Sequence, residues 1–538
     1  MTILSTSRFR NGLIAAITLL LMLPGCDDAF QSAANYASVA EAQLAAGNID
    51  EARESIRRAI SARDDVASYY ILLGRIELQA ERPASAFNAY SLALDLQADN
   101  PEVLQSIAEL GLQTGRIKEA GEAADRILLL SPGSSRALLV KGFIAIDNGQ
   151  LDEADRMATE ILARNSNDEG GIILSARIDA LRGDVGKALT AIQKGISALG
   201  ATNALNVTLL EIYRIQGDAK GMRRVFPEVL KTMDEDIEYQ LDYVNLLYKM
   251  GDAAAARAIA LKAIEADPND AQLLAALGDL WLEYDRKPLA ASQWAYVAES
   301  GTRSSQIALA RFYHKIGDDE VAQSLLKRAS DSGVSEAQGV LARVMLARRD
   351  IRRADALANA LLKADPRNED ALLVRAQRHL ANGQLDRAIE DANIVVADSP
   401  QEYLGYVVLA GAYSANGSAI RARQTFERGM DALPQSKLLA DAYREFLVDS
   451  GDTNRVVSLY QDLAIAKPSS VVAWTAFARA CAEFGDGICA RKVESGLARA
   501  KTSFVIDEPP GTPPRRGLFA RITPEEICAT TGGVCTGS

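Results

Sequence analysis

Apolar residues recur along most of this chain with the spacing of an amphipathic helix. One early segment carries four small or apolar residues at helical intervals, Ala52, Ile56, Ala59 and Ile60. Residues three and four apart lie on the same face of an α-helix, whereas the polar residues between them face away. Similar segments follow one another with short polar breaks. The pattern therefore predicts an all-α fold over residues 33–502.

The helical segments repeat with a period of 34 residues. Steps of 34 from Gly47, with two steps of 32 after Asp285, mark fourteen positions that end at Gly485. Eleven of these positions hold glycine, and the other three hold Glu81, Asp285 and Arg349. Five residues after the mark, twelve of the fourteen units have alanine, and seventeen residues after it, six units have proline. Spacing kept over so many units indicates a tandem repeat.

Each column of the repeat has a physical reason. Two antiparallel helices joined by a tight turn need a residue that accepts a positive φ, and glycine does so without strain. Where the two helices cross closely, only a small side chain lets their backbones approach. Proline at the end of the second helix blocks its continuation at little cost. The repeat unit is therefore predicted to be a helical hairpin, with a helix A before the mark and a helix B after it.

This pattern resembles the tetratricopeptide repeat, and the resemblance covers roughly residues 33–500. It implies a right-handed superhelical solenoid of about fourteen helical hairpins. It also implies that helix A of each hairpin lines a concave groove that binds an extended peptide or a helix, with no catalytic centre. The aromatic residue of helix A typical of this family survives at only a few positions, namely Tyr213, Trp281, Tyr313 and Tyr413. Several units are therefore degenerate.

The sixth unit departs from the pattern. Gly221 and Met222 replace the usual start of helix B, and Pro227 falls inside it. An interior proline removes a hydrogen bond and kinks a helix, at a cost of about 3 kcal/mol. We expect a bend or seam at residues 218–236 that divides the array into two stiff halves. The alternative is a locally loosened helix that leaves the array unchanged.

Residues 1–25 have the organisation of a secretory signal peptide. Arg8 and Arg10 precede an uncharged apolar stretch that is too short to span a bilayer comfortably. The stretch ends in Leu-Pro-Gly-Cys26, which resembles the lipobox of bacterial lipoproteins and implies a diacylglycerol and palmitate anchor on Cys26. The alternatives are a signal cleaved elsewhere, or an uncleaved anchor in which Cys26 has no role.

The N-terminal charges also predict a location. Basic residues precede the apolar stretch and the next one after it is Arg53, so the chain after residue 26 is expected outside the cytoplasm, in the periplasm. Residues 26–32 are expected to be a short tether between the lipid and the array. Asp27 and Asp28 follow the cysteine, and in the lipoproteins that this segment resembles they favour the inner membrane over the outer membrane.

Residues 503–538 differ in composition from the array and are predicted to be a proline-rich linker and a tail. Four cysteines lie in the last sixty residues, at positions 481, 489, 528 and 535. An exported chain favours disulfides, and four cysteines allow three pairings. Cys481 with Cys489 would bridge the last hairpin, and Cys528 with Cys535 would close a small loop. Pairing the tail with the last hairpin, or buried free thiols, are the alternatives.

Charge and composition exclude several functions. The net charge is −12, which argues against nucleic acid, and the two histidines leave little room for metal or general-base chemistry, so no cofactor or metal is expected. One basic stretch stands out in helix A of two adjacent units: Arg311, His314, Lys315 and Arg343. These residues are candidate groove contacts for an anion or an acidic peptide, and a solvated face is the alternative.

Together these features predict a non-enzymatic periplasmic scaffold or adaptor that is anchored in the membrane by its lipid. Its partners would be proteins or peptides of an envelope assembly or export system, such as exopolysaccharide export, pilus assembly or secretion. A polysaccharide-binding module is an alternative, but only 6% of the residues are aromatic. An enzyme with a cryptic site is the other alternative, which the absence of a recognisable catalytic motif in the sequence disfavours.

Overall fold

The computed structural model describes residues 25–232, 237–485 and 487–507. In this part of the chain it contains twenty-eight α-helices and no strand. The helices pair in sequence into fourteen hairpins, one for each marked turn, which confirms the all-α repeat predicted above. No helix within these ranges combines the length and the apolar composition needed to cross a bilayer.

Three predicted features lie outside the described residues. They are the signal segment before residue 25, the side chain of Cys26, and the tail that contains Cys528 and Cys535. The first helix begins at Gly25, so residues 26–32 continue this helix and do not form the separate tether expected from the sequence. Residues 26–45 contain neither proline nor glycine, so nothing in this segment interrupts the helix.

The helices group into two compact units, which are described separately. Among the described residues, unit 1 ends at Leu174 and unit 2 begins at Ser175. The boundary falls within α9 (Glu169–Leu181). The other helices of unit 1 are α1 (Gly25–Ala45), α2 (Ile49–Ala62), α3 (Ala67–Gln79), α4 (Pro83–Leu96), α5 (Pro101–Gln113), α6 (Ile117–Leu130), α7 (Ser135–Asp147) and α8 (Leu151–Arg164).

Unit 2 contains the remaining hairpins. Its helices are α10 (Val185–Leu199), α11 (Asn203–Gln216), α12 (Ala219–Val229), α13 (Ile237–Lys249), α14 (Ala253–Ala266), α15 (Ala271–Tyr284), α16 (Ala291–Ser300), α17 (Arg303–Lys315), α18 (Asp319–Asp331), α19 (Ser335–Ala347), α20 (Ile351–Ala364), α21 (Glu369–Ala381), α22 (Leu385–Asp398), α23 (Tyr403–Ala415), α24 (Ala419–Ala432), α25 (Lys437–Asp449), α26 (Thr453–Ala466), α27 (Val471–Phe484) and α28 (Gly487–Thr502).

The marked residues form the turns between paired helices. Ten of the eleven glycines have φ between +70° and +87°, and Gly485 is the exception. Glu81 (φ +56°) and Arg349 (φ +64°) adopt the same left-handed conformation without being glycine. The geometry of the turn therefore outweighs the strain that a side chain adds there, which is about 1–2 kcal/mol. Asp285 does not adopt it and has φ −150°.

The turn at Asp285 is longer than the others. Its helix B, α16, begins only at Ala291 and has 10 residues. The carboxylate of Asp285 is buried and accepts hydrogen bonds from Nε of Arg257 at 2.6 Å and from the hydroxyl of Tyr248 at 3.0 Å. The eighth hairpin thus replaces a glycine turn with a buried ion pair.

Small residues let the helices pack closely. The alanines five residues after the marks have no exposed surface in ten of the fourteen units, for example Ala52 and Ala388. Glycines seven residues before the mark lie equally close to neighbouring side chains. A Cβ on Gly142 would lie 2.4 Å from Cδ2 of Leu174, so no larger residue fits there without movement.

The predicted seam falls on the sixth hairpin. Helix α12 contains Pro227 and has 11 residues, against 14 in a typical helix B such as α14. Residues 233–236 lie outside the described residues. The seam at 218–236 stays a prediction, and the division into two compact units falls elsewhere, between Leu174 and Ser175.

Candidate groove site

The predicted basic stretch lies on consecutive A helices of unit 2. Arg311, His314 and Lys315 are on α17, and Arg343 is on α19. Helices α17, α19, α21 and α23 pack side by side. The resemblance to the tetratricopeptide repeat assigns these helices to the concave side of the array.

Two of the predicted groove arginines belong to a ladder of ion pairs. Arg343 donates from Nη1 to Asp370 at 2.9 Å and to Glu402 at 3.0 Å. Arg311 donates from Nη2 to the same Asp370 and to Glu336, both at 3.3 Å. The carboxylates come from the first turns of α19 and α21 and from the residue that caps α23. The ladder therefore joins four successive hairpins.

The centre of the ladder is buried, and its charges compensate one another. Arg343 is 7% exposed and Asp370 is 5% exposed. Burial alone would lower the pKa of Arg343, but Glu402 and Asp370 outweigh it and raise that pKa above its usual value. Both arginines therefore stay charged, and their charge is used within the protein. Little positive charge is therefore left uncompensated in the ladder to attract an acidic ligand.

The other two predicted contacts differ in accessibility. Nδ1 of His314 lies 2.6 Å from Oδ1 of Asp319, at the start of the paired helix α18. Lys315 is exposed and forms no ion pair with any described residue. The structure thus brings Arg311 and Arg343 together through Asp370, whereas Lys315 extends into solvent. Of the four residues, Lys315 fits the solvated-face alternative, Arg311 and Arg343 are held in ion pairs within the protein, and their role as groove contacts stays a prediction.

A cavity of about 370 Å³ opens beside the ladder. Its lining includes the polar side chains of His314, Arg343, Gln377 and Arg378 and the apolar side chains of Leu346 and Leu404. The buried Nε of Arg343 has no hydrogen-bond partner among the described residues. The amide of Gln377 can exchange hydrogen bonds with a peptide backbone, while an apolar side chain packs on the two leucines. We call this feature the α17–α23 cavity.

Sequence reasoning missed part of this site. Gln377 stands six residues before its mark, in the same column as Arg311 and Arg343, so the repeat register could have identified it. Asp370 and Glu402 gave no such signal, because acidic residues at helix starts are common and favourable in any helix. Their pairing with arginines 27 and 59 residues away appears only in the folded chain.

The structure joins Cys481 to Cys489 in a disulfide between α27 and α28, with their Cα atoms 5.7 Å apart. This is one of the pairings that the sequence left open, and it ties together the two helices of the last hairpin. Cys489 lies four residues after Gly485, the marked residue without a positive φ. Cys528 and Cys535 lie outside the described residues.

Two curated relatives match short parts of the chain. The human protein O-mannosyl-transferase TMTC3 is 30% identical over 107 residues, which are 19% of this chain and 11% of that protein. The BBSome complex member bbs-4 of Caenorhabditis elegans is 29% identical over 106 residues, 20% of this chain and 22% of that protein. The chain thus spans less than a quarter of the length of either relative.

The chain is also similar to a solved structure, and a family model matches parts of it. The crystal structure of yeast Tom70 aligns with 80% of this chain and 99% of its own at 15% identity, with a TM-score of 0.33. At that TM-score the likeness carries no argument about function. The tetratricopeptide repeat model matches residues 40–101, 241–305, 340–403 and 373–437. These matches fall in both units and show that the chain contains tetratricopeptide repeats.

Proposed function

We propose that this chain is a non-enzymatic scaffold that binds a protein partner in the α17–α23 cavity. The observation that carries the proposal is the cavity itself, which is lined by the amide-bearing side chain of Gln377 and by two leucines. An extended peptide can supply both a backbone amide to pair with the glutamine and an apolar side chain to pack on the leucines. The ion-pair ladder holds the four A helices in place, so the cavity is formed before the partner arrives.

The chemistry of the cavity favours peptide over carbohydrate. Sugar rings are commonly held by the large aromatic side chains of Trp, Tyr and Phe, and the described residues that line this cavity include none of these three types. The ligand we propose is therefore an extended or helical protein segment without a strongly acidic character, since the arginine charges are compensated by Asp370 and Glu402. The proposed ligand therefore differs from the acidic peptide suggested by the sequence, because it carries little negative charge.

A substitution that fills the cavity tests this proposal. Gln377→Trp adds a large side chain to the cavity lining, and Lys363→Trp makes the same addition at an exposed residue of α20. We expect affinity purification from solubilised envelopes to recover a stoichiometric protein with the wild type and with Lys363→Trp, and to lose it with Gln377→Trp. No stoichiometric partner, or equal recovery with both variants, would contradict the proposal.

We also propose that the scaffold works in the periplasm, held at the inner membrane by a lipid on Cys26. The support is the signal peptide and the lipobox-like segment in the sequence. The proposed partners are proteins of an envelope assembly or export system. Intact mass and membrane fractionation of the native protein and of Cys26→Ala test the anchor. An added lipid mass and membrane association that are both lost in the variant are expected, and equal masses in a soluble fraction would refute it.

A further inference from the structure

Residues of the seventh hairpin contact the last hairpin across a long stretch of sequence. Lys249, the last residue of α13, donates from Nζ to the carbonyl oxygen of Ser469 at 2.8 Å and to that of Ser503 at 2.6 Å. These partners are 220 and 254 residues away in the sequence. Ser469 lies in the loop before α27, and Ser503 follows the end of α28. One ammonium group therefore binds both ends of the last hairpin.

The eighth hairpin contributes a second contact. Glu283, near the end of α15, accepts a hydrogen bond from Nζ of Lys467 at 2.7 Å, and the hydroxyl of Ser470 also donates to Glu283. The sequence separations are 184 and 187 residues. Side chains of Glu283 and Lys467 are 12% and 25% exposed, so solvent screens this ion pair less than a surface pair.

The chain after α28 is fixed against the same loop. Both carboxylate oxygens of Asp507 accept from the backbone N–H of Ser469, at 3.0 and 3.1 Å, and the hydroxyls of Ser469 and Ser503 are 2.7 Å apart. Phe504 is 6% exposed. The short segment that follows the array is thus ordered by burial and hydrogen bonds.

The sixth hairpin also approaches this end. A Cβ on Gly217 would lie 3.4 Å from the carbonyl oxygen of Thr502. In a helical repeat array each hairpin ordinarily contacts its neighbours alone. Here hairpins six to eight meet the last one across five to seven intervening hairpins. We call this feature the closure contact, and define it by Lys249, Glu283, Lys467, Ser469, Ser470, Ser503 and Asp507.

We propose that the closure contact locks hairpins seven to fourteen of unit 2 into a closed turn, and that its opening controls access to the α17–α23 cavity. The cavity lies on hairpins nine to twelve, between the two ends that the contact joins. Closing the turn fixes the curvature of the helices that form it. The contact is polar, which suits a switch. Water hydrates the charged groups when they separate, so opening this contact costs less free energy than exposing an apolar interface. The closed turn rests on the geometry of unit 2, whereas the control of access also needs the cavity to be the binding site of the proposed function.

Reversing one charge of the closure contact tests this inference in the full-length chain. Glu283→Lys places two cations together, and hydrogen exchange is read at residues 467–474 and 500–507, far away in the sequence. We expect exchange there to rise roughly fivefold or more, the effect of about 1 kcal/mol. The reciprocal variant, Lys467→Glu, is expected to raise exchange at residues 245–252. Lys363→Glu, the same charge change at an exposed residue of α20, should change neither region.

Combining the two reversals separates loss of the contact from local unfolding. Glu283→Lys with Lys467→Glu restores an ion pair of opposite polarity, so part of the lost protection should return. The return is partial because the new charges face Lys249 and Asp507 of like sign. If each reversal affects only its own segment, or if the double variant exchanges faster than either single one, the closure contact does not exist in solution. Neither readout involves a partner, so this failure is distinct from failure of the proposed function.

Access to the cavity has its own readout. With the partner recovered by affinity purification, Glu283→Lys should change the dissociation rate at least about threefold while Lys363→Glu leaves it unchanged. If hydrogen exchange increases but the dissociation rate of the partner does not change, the closed turn exists but does not control access to the cavity.

Discussion

Replacing Arg343 by methionine should destabilise hairpins nine to twelve strongly. Methionine keeps most of the length of the side chain and removes the charge. The change breaks two charge-assisted bonds, at 2.9 Å to Asp370 and 3.0 Å to Glu402. Each such bond contributes about 1.5–3 kcal/mol, and removing one partner of a buried pair costs about 3–5 kcal/mol.

The expected cost is at the lower end of that range. Asp370 is 5% exposed but keeps Arg311 at 3.3 Å, so it is not left without a counter-charge. We expect a loss of about 3 kcal/mol, which corresponds to a roughly hundredfold faster hydrogen exchange. Exchange in α19, α21 and α23 is the suitable assay, because a long repeat array does not unfold as one two-state unit.

Two variants control this prediction. Lys315→Met makes the same chemical change at an exposed lysine and should cost less than about 0.5 kcal/mol. Adding Asp370→Asn to Arg343→Met should recover part of the loss, since the double change also removes a buried carboxylate. A cost for Arg343→Met no larger than that for Lys315→Met would refute the conclusion that Arg343 is a structural residue.

Three further predictions concern packing, turns and pH. Gly142→Ala should destabilise unit 1 by about 1–3 kcal/mol in thermal and chemical unfolding, because its Cβ would lie 2.4 Å from Leu174; Gly121→Ala, whose Cβ meets Ile144 at 3.5 Å, should be neutral or stabilising by up to about 1 kcal/mol. Gly383→Ala should destabilise the eleventh hairpin by about 1 kcal/mol, measured by hydrogen exchange, because φ of Gly383 is +73°. No atom lies within 4 Å of the added Cβ, so the cost comes from the backbone alone. A neutral effect would contradict the turn geometry. Burial lowers the pKa of Lys249 to about 8; Lys467 lowers it further, and the charges of Asp507, Glu283 and Asp242 oppose this change. The closed form therefore binds fewer protons than an open form between about pH 8 and 10.5. Closure should strengthen as pH rises through this window. Exchange at residues 500–507, corrected for intrinsic rates, should slow from pH 7.5 to 9.5 in the wild type and lose this trend in Lys249→Met, whereas exchange that quickens with pH would contradict the sign.

The repeat register could be predicted from the sequence because it follows from local chemistry. Ten marked glycines have the positive φ that a tight turn needs, and the alanine column is buried where the helices cross. Glu81 and Arg349 adopt the same turn without glycine, so the spacing was a better guide than the residue type. At Asp285 the prediction of a similar turn was wrong, because a buried ion pair with Arg257 stabilises a longer connection.

The groove contacts could be predicted only in part. Their place on consecutive A helices follows from the 34-residue period. The acidic partners of Arg311 and Arg343 come from the starts of later helices, and no periodic pattern shows which way a long side chain points. The sequence therefore suggested a free basic face where the structure has a compensated ladder. The sequence also did not predict that the first helix begins at Gly25. No repeat unit precedes the first hairpin, so the period does not determine where its helix A starts.

The closure contact could not be predicted from the sequence at all. Reasoning from repeats assumes that each hairpin contacts only its neighbours. Lys249 and Glu283 contact partners that are 184 to 254 residues away in the sequence. Whether these residues meet in space depends on the cumulative curvature of many hairpins. A small change in the angle at each hairpin would move these groups apart, and no single residue determines that angle.

Site-specific photo-crosslinking tests the central claim most directly. A small diazirine amino acid, close in size to glutamine, lies in the α17–α23 cavity at position 377 without filling it, and the same amino acid at position 363 lies on the exposed side of α20. Irradiation of living cells should give one discrete protein adduct from position 377 and none from position 363. No adduct from position 377, or the same adducts from both positions, would contradict a scaffold that binds its partner in this cavity.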